Sequence, residues 1–211
     1  MHYSSNPGSA ETSDAITKTL NAGAYVTVTM STYEAIAKVW NHNESGYQEM
    51  LDRPGVEFTN QIYKPAWESQ FENRYNQPGS LFGALDFQKE YVKRFNDAGI
   101  PLLLGTDSPV IVGMAAGFSI HEEMRMISEA GISNADILKM GTKNFGEFVK
   151  KYSRNKEDFG AVKEGYRADL VLLDANPIMD LNTLKDPAYV VVRGRTYSQE
   201  YLKSELQKLM N

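Results

Sequence analysis

A chain of 211 residues with 42% apolar and 23% charged side chains can bury a packed core, which excludes wholesale disorder. Its formal net charge of -5, with no basic run, argues against nucleic acid as a partner. No apolar stretch approaches the ~18 residues of a membrane span, and the absence of cysteine excludes disulfides and thiolate metal sites.

In chain order, residues 1–12 are polar, contain Pro7 and Gly8, and read as loop. Ser13 is an N-cap candidate for a helix through Asn21, with Gly23 in the position just past its end. Residues 24–30 are β-branched and aromatic and predict a strand. Residues 31–83 are longer than a usual connection between a strand and the next helix. Within them residues 33–40 look helical, followed by His42, Trp67, Phe71 and Tyr75 among scattered Pro and Gly. This insertion fits equally a lid over a substrate and a decoration packed on the outside.

Residues 86–98 place Phe87, Tyr91, Phe95 and Ala98 at helical spacing, and Gly99 ends the pattern. The unbroken apolar run that follows, 101–106, predicts a strand buried on both faces, as in parallel sheets. It ends in Gly105, Thr106 and Asp107, and Pro109 stops it. Chemistry in parallel α/β folds sits at the carboxyl ends of strands, so Asp107 stands where a metal ligand or general base would be. A turn or helix-cap role fits the same carboxylate as well. Two helix–Ala–Gly–strand units, at Ala22–Gly23 and Ala98–Gly99, predict successive turns of an α/β barrel or of an open wound sheet. Helices follow at 120–130, 133–140 with a capping-box start at Ser133, and 145–152. The character then changes: 170–174 reads as a strand, 189–197 as strand, turn and strand, and 199–210 as an amphipathic helix.

The order Gly105, Thr106, Asp107, then His121, Glu122, Glu123, Met124, then Gly160, Ala161, Val162, Gly165, Arg167, Ala168, Asp169, Leu170, Val171 and finally Asn176, Pro177 resembles the carboxyl-terminal part of the metal-dependent amidohydrolase superfamily. The nearest flavour is that of the imidazolonepropionase-like and prolidase-like members. Each motif is weak or moderate alone, and it is their order over roughly half the chain that makes the combination specific.

The resemblance implies an α/β fold, the carboxyl-terminal part of a TIM-like (β/α)8 barrel with part of a small β-sandwich. Residues 1–158 would be the partial barrel, strands six to eight with an insertion near 34–83. Residues 159–211 would be the partial sandwich and terminal helix. Asp107 matches the aspartate closing strand eight, which binds the metal and takes a proton from metal-bound water. His2 matches the histidine ending strand six, which binds the second metal in binuclear members and touches only substrate in mononuclear ones, although a terminal histidine is equally a bystander. His121 would face the pocket and touch substrate, against a plain helix-start role. His42 reads as surface, Glu122 and Glu123 as favouring the amino end of their own helix, and Asp169 and Asp174 as turn or strand-edge residues.

The implied cofactor is a divalent metal, zinc first, in the complete enzyme. The implied reaction is attack of a metal-activated water on a C–N, amide-like bond of a small molecule. The superfamily's His-x-His pair, bridging lysine and strand-five histidine have no counterpart here, and catalytic zinc takes about three protein ligands. The expectation is therefore a fragment, inactive and metal-free alone, whose bare strand edges invite pairing with another copy. A non-catalytic α/β binding or assembly module is the rival reading, and a dipeptidase or phosphotriesterase of the same superfamily a second. Residues 1–5 show no signal peptide, and the compartment, cytoplasmic or periplasmic, stays open.

Overall fold

The computed structural model describes residues 7–59, 61–154 and 157–210. Helix α1 (Ala10–Asn21) starts earlier than the sequence suggests. The Ser9 hydroxyl accepts from Thr12 N–H at 3.2 Å and its carbonyl takes the Ser13 N–H at 3.1 Å, so Ser9, not Ser13, is the N-cap. The chain leaves the helix through Gly23 at φ 58 and enters strand β1 (Val26–Val28). The second unit repeats this: α5 (Phe82–Asp97), Gly99 at φ 77, then β2 (Leu102–Leu104).

The two strands are parallel neighbours in the register Val26 to Leu102, Thr27 to Leu103 and Val28 to Leu104. Both ladders are shorter than the runs 24–30 and 101–106. β1 is cut short because Met30 already opens α2 (Met30–Val39). On the far side of β2 an amide replaces a strand: Asn144 Nδ2 donates to the Leu102 carbonyl at 2.9 Å. Val28, Met30, Leu102, Phe95, Ile127 and Met140 share one core around this pair. Helices α6 (Ser119–Glu129), α7 (Asn134–Gly141) and α8 (Lys143–Tyr152) complete the region, and Ser133 caps α7 as its sequence predicts.

The insertion carries α3 (Glu44–Leu51) and α4 (Lys64–Asn73). It is not a loose decoration. Met50, Trp67, Phe71 and Tyr75 are buried with Ile111, Val112 and Met114 in a second core. The insertion therefore packs on the segment that follows Asp107.

The carboxyl-terminal region is an antiparallel sheet in the order β3 (Leu170–Leu172), β4 (Tyr189–Val192), β5 (Arg195–Ser198), followed by α9 (Gln199–Gln207). β4 and β5 form a hairpin whose two turn residues, Arg193 and Gly194, both have positive φ, the backbone a tight hairpin needs. Asp169 holds that turn by accepting the Arg193 N–H at 2.8 Å, which is the turn role expected of it. Among the described residues no helix is long and apolar enough to cross a membrane.

Candidate active site at the ends of the paired strands

Strand β2 leads into Gly105, whose N–H continues the ladder to the Val28 carbonyl at 3.1 Å. A side chain there would begin 2.6 Å from Thr27 Cγ2, so any other residue would have to push the Thr27 methyl aside. Asp107 follows, exposed and with its backbone in the left-handed region at φ 55. Its carbonyl takes the Val110 N–H at 3.4 Å, so its backbone does open a turn. Its carboxylate makes no hydrogen bond or ion pair to any described residue and caps nothing. The strand tip thus carries an unsatisfied, solvent-facing acceptor, the state a proton acceptor or metal ligand starts from.

The backbone around it is tied down. Thr32 Oγ1, in the first turn of α2, donates to the Thr106 carbonyl at 2.6 Å. Thr106 Oγ1 accepts from Ser108 N–H at 3.3 Å, and Ser108 Oγ donates to the Met114 carbonyl at 2.8 Å. From α4, Trp67 Nε1 donates to the Pro109 carbonyl at 2.9 Å and Gln70 Nε2 to the Val110 carbonyl at 3.1 Å.

Glu123 corrects the sequence reading. It does not serve the amino end of its own helix; it is fully buried and caps α2, taking the Met30 N–H at 2.9 Å on one oxygen and the Ser31 N–H at 2.7 Å on the other. Thr29, the residue before α2, offers no side-chain cap, so this carboxylate supplies it from elsewhere in the chain. Burial pushes the Glu123 carboxyl up, and the Ser31 and Met30 hydrogen bonds pull the other way. The pair α2–α6 is thereby locked beside the end of β1. A helix that starts straight after a strand without its own cap was the signal that a distant acceptor is required. Glu122, by contrast, does lie in the first turn of α6, as its sequence suggests, and also pairs with Arg125 at 3.0 Å.

His121 is half-buried and lines a groove of about 1420 Å³ between α2, α6 and α9, together with Arg53, Phe118, Lys185 and Leu206. Burial pushes its pKa down, Lys185 adds to that and Glu122 opposes it. Its Nδ1 is buried with no partner among the described residues, which favours the neutral ring. Asp107 is not part of the walls of this groove, so the structure does not bring the two together in one cavity. A smaller apolar groove of about 430 Å³ runs along β1 between α1 and α5, past Val26, Val28, Phe87 and Tyr91. His42 stacks on Phe71 with centroids 4.3 Å apart and its Nε2 lies 3.2 Å from Glu72, so it fastens α4 to the loop after α2. His2 lies outside the described residues.

No group of three His, Cys, Asp or Glu side chains converges to hold a metal among the described residues. Asp107 alone does not meet the roughly three protein ligands that zinc takes.

The model of the amidohydrolase family matches residues 1–197, and the chain belongs to that family. Among curated proteins it is similar to a 5-methylthioadenosine/S-adenosylhomocysteine deaminase of Dictyoglomus thermophilum, 33% identical over 94 residues, covering 40% of this chain and 20% of that protein. Among solved structures it is similar in fold to a bottromycin amidohydrolase, with TM-score 0.66 and 20% identity over 98% of this chain and 47% of that one. A prolidase complexed with N-methylphosphonate-L-proline follows with TM-score 0.56 and 21% identity, over 88% of this chain and 37% of the other. The fold is therefore that of an α/β amidohydrolase, and the chain spans a fifth of the curated relative and less than half of these structures.

Proposed function

We propose that this chain is the carboxyl-terminal part of a metal-dependent hydrolase that cleaves a C–N, amide-like bond of a small molecule. In this reading β1 and β2 are the seventh and eighth strands of a (β/α)8 barrel within residues 1–158. Residues 159–211 form part of a β-sandwich with a terminal helix. The observation that carries it is Asp107: a free carboxylate at the carboxyl end of a parallel strand, on a backbone tied from several sides. The named relatives, a deaminase, an amidohydrolase and a prolidase, support a C–N bond as the target.

Asp107 is the chain's contribution to the chemistry. It takes a proton from the attacking water and passes it to the departing nitrogen, which leaves as a neutral amine. His2 would be a further ligand, and His121 a group that touches substrate. The divalent metal, zinc first, would draw its remaining ligands from outside the described residues; when bound it lowers the pKa of water.

The test assembles this chain with the rest of the barrel, in cis or by co-expression, and follows turnover on a panel of cyclic amides, N-acyl amino acids and aminopurines. Asp107→Asn is expected to lower turnover by about 100-fold or more, the scale of general-base loss. The melting temperature should stay close to that of the parent. Turnover that survives the substitution excludes the role.

A further inference from the structure

We infer that helix α4 of the insertion is a positioning clamp for Asp107, with the Trp67 indole N–H as its principal contact. The inference rests on the reading of Asp107 as the reacting carboxylate.

The stretch from Gly105 to Phe118 lies in neither a strand nor a helix, so its carbonyls have no ladder of their own to enter. Four of them are met by side-chain donors instead. Thr32 takes the carbonyl just before Asp107, Trp67 and Gln70 take those of Pro109 and Val110 just after it, and Ser108 closes the loop onto Met114. The grip is two-sided: α2 holds one flank of the aspartate and α4 the other. Asp107 sits between them at φ 55, a backbone state that an L residue with a side chain does not hold by preference. Aspartate tolerates it, but the flanking bonds select it.

The register of α4 is in turn fixed by packing. Trp67 is 1% exposed and shares a core with Ile111, Val112 and Met114, so its ring and its N–H act on the same segment. Gln70 is oriented by a second bond, from Tyr75 Oη at 3.0 Å. Catalytic groups lose rate steeply when displaced by about 1 Å, and the two bonded flanks hold the backbone that carries the carboxylate. The insertion, on this view, sets where the carboxylate points, and Trp67 is a positioning residue that need not touch substrate.

Ring burial and the N–H bond are separable. Trp67→Phe keeps an aromatic ring in the core while removing the donor and part of the ring volume; Gln70→Glu, at a half-buried position, removes the neighbouring donor but keeps the acceptor for Tyr75 Oη, and guards against a misfolded first variant. In the isotopically labelled chain, three-bond H–N–Hα coupling and residual dipolar couplings read the φ of Asp107, and relaxation dispersion reads its exchange. The expected result for either variant is loss of the single left-handed state, seen as exchange broadening at Asp107 and Ser108. Couplings and relaxation at Asp107 unchanged in both variants would overturn the clamp. In the assembled enzyme, Trp67→Phe should reduce kcat by up to about 100-fold with KM nearly unchanged. The double variant with Asp107→Asn should be no slower than Asp107→Asn alone, since both act through one group. A multiplicative loss in that double variant also overturns the clamp. Full turnover of Asp107→Asn alone sinks instead the reading beneath it, and the spectroscopic result tells the two failures apart.

Discussion

Glu34 shows how a single carboxylate on α2 ties three elements together. It lies 2.7 Å from Arg53 of the insertion and 2.9 Å from Arg125 of α6, with its side chain only 12% exposed. Burial opposes its ionisation, but the Arg53 hydrogen bond and the charges of Arg53, Arg125 and Lys38 outweigh it, and its pKa falls below the ordinary 4.5. A carboxyl with a depressed folded pKa contributes stability that is fully present above its unfolded value. That stability is lost as pH falls through the folded value. Glu34→Gln is therefore expected to cost about 1–3 kcal/mol at pH 7, the range for a charge-assisted hydrogen bond. The gap from the parent should close only once the pH has fallen through the depressed folded pKa, where the parent's carboxyl is itself protonated. Urea unfolding at pH 7 and below that folded pKa measures both gaps, and an equal gap at both contradicts the assignment. The same residue-scale reasoning separates Glu123 from Glu122. Adjacent in sequence, one is sealed against the backbone of α2 and the other paired at the surface, and only packing distinguishes them.

At the scale of elements, the junction between the α/β region and the small sheet is made by backbone contact. A Cβ on Gly146 of α8 would lie 2.2 Å from the Phe159 carbonyl oxygen, and one on Gly160 would lie 2.4 Å from that of Thr142. Main chain, not a flexible side chain, blocks the space, so relief demands that α8 and the 159–160 segment part. Gly146→Ala is expected to destabilise by about 1–3 kcal/mol despite alanine's better helix propensity. The Phe145–Phe159 edge contact, with centroids 6.2 Å apart, should loosen with it. A denaturation midpoint equal to or above the parent's would show that the two segments are not held in contact. The helix–Gly–strand units were legible because each is built from local rules: a 3.6-residue apolar stripe and a left-handed Gly. Strand length was not, because a ladder extends only where a neighbour stands; β1 and β2 each keep three residues of their longer apolar runs.

For the whole molecule the open question is what covers its apolar sheet surface. Leu170, Val171 and Leu172 are 37%, 51% and 57% exposed, so β3 offers apolar side chains on both faces and an edge without a strand neighbour among the described residues. Edges of this kind recruit other strands. The isolated chain is expected to self-associate with rising concentration in sedimentation velocity, and Val171→Lys on β3 to return it toward monomer. A parent that stays monomeric across the micromolar range would count against the free edge.

The candidate site was readable only in part. Asp107 stood out because an unbroken apolar run ending in Gly-Thr-Asp signals a buried strand tip, and the structure places it there with a free carboxylate. His121 stood out as a histidine after that loop, yet it lines a groove whose walls do not include Asp107. Sequence alone determined the helix–strand alternation, the two Gly-marked junctions, the hairpin and the acid at the end of β2, because each depends on residues a few positions apart. Tertiary structure decided that α2 is capped by Glu123, 93 positions from Met30, and that Trp67 reaches Pro109 across 42. Hydrogen bonds between distant residues leave no periodicity to read. They exist only once two cores have brought unsatisfied backbone groups and side-chain partners within about 3 Å.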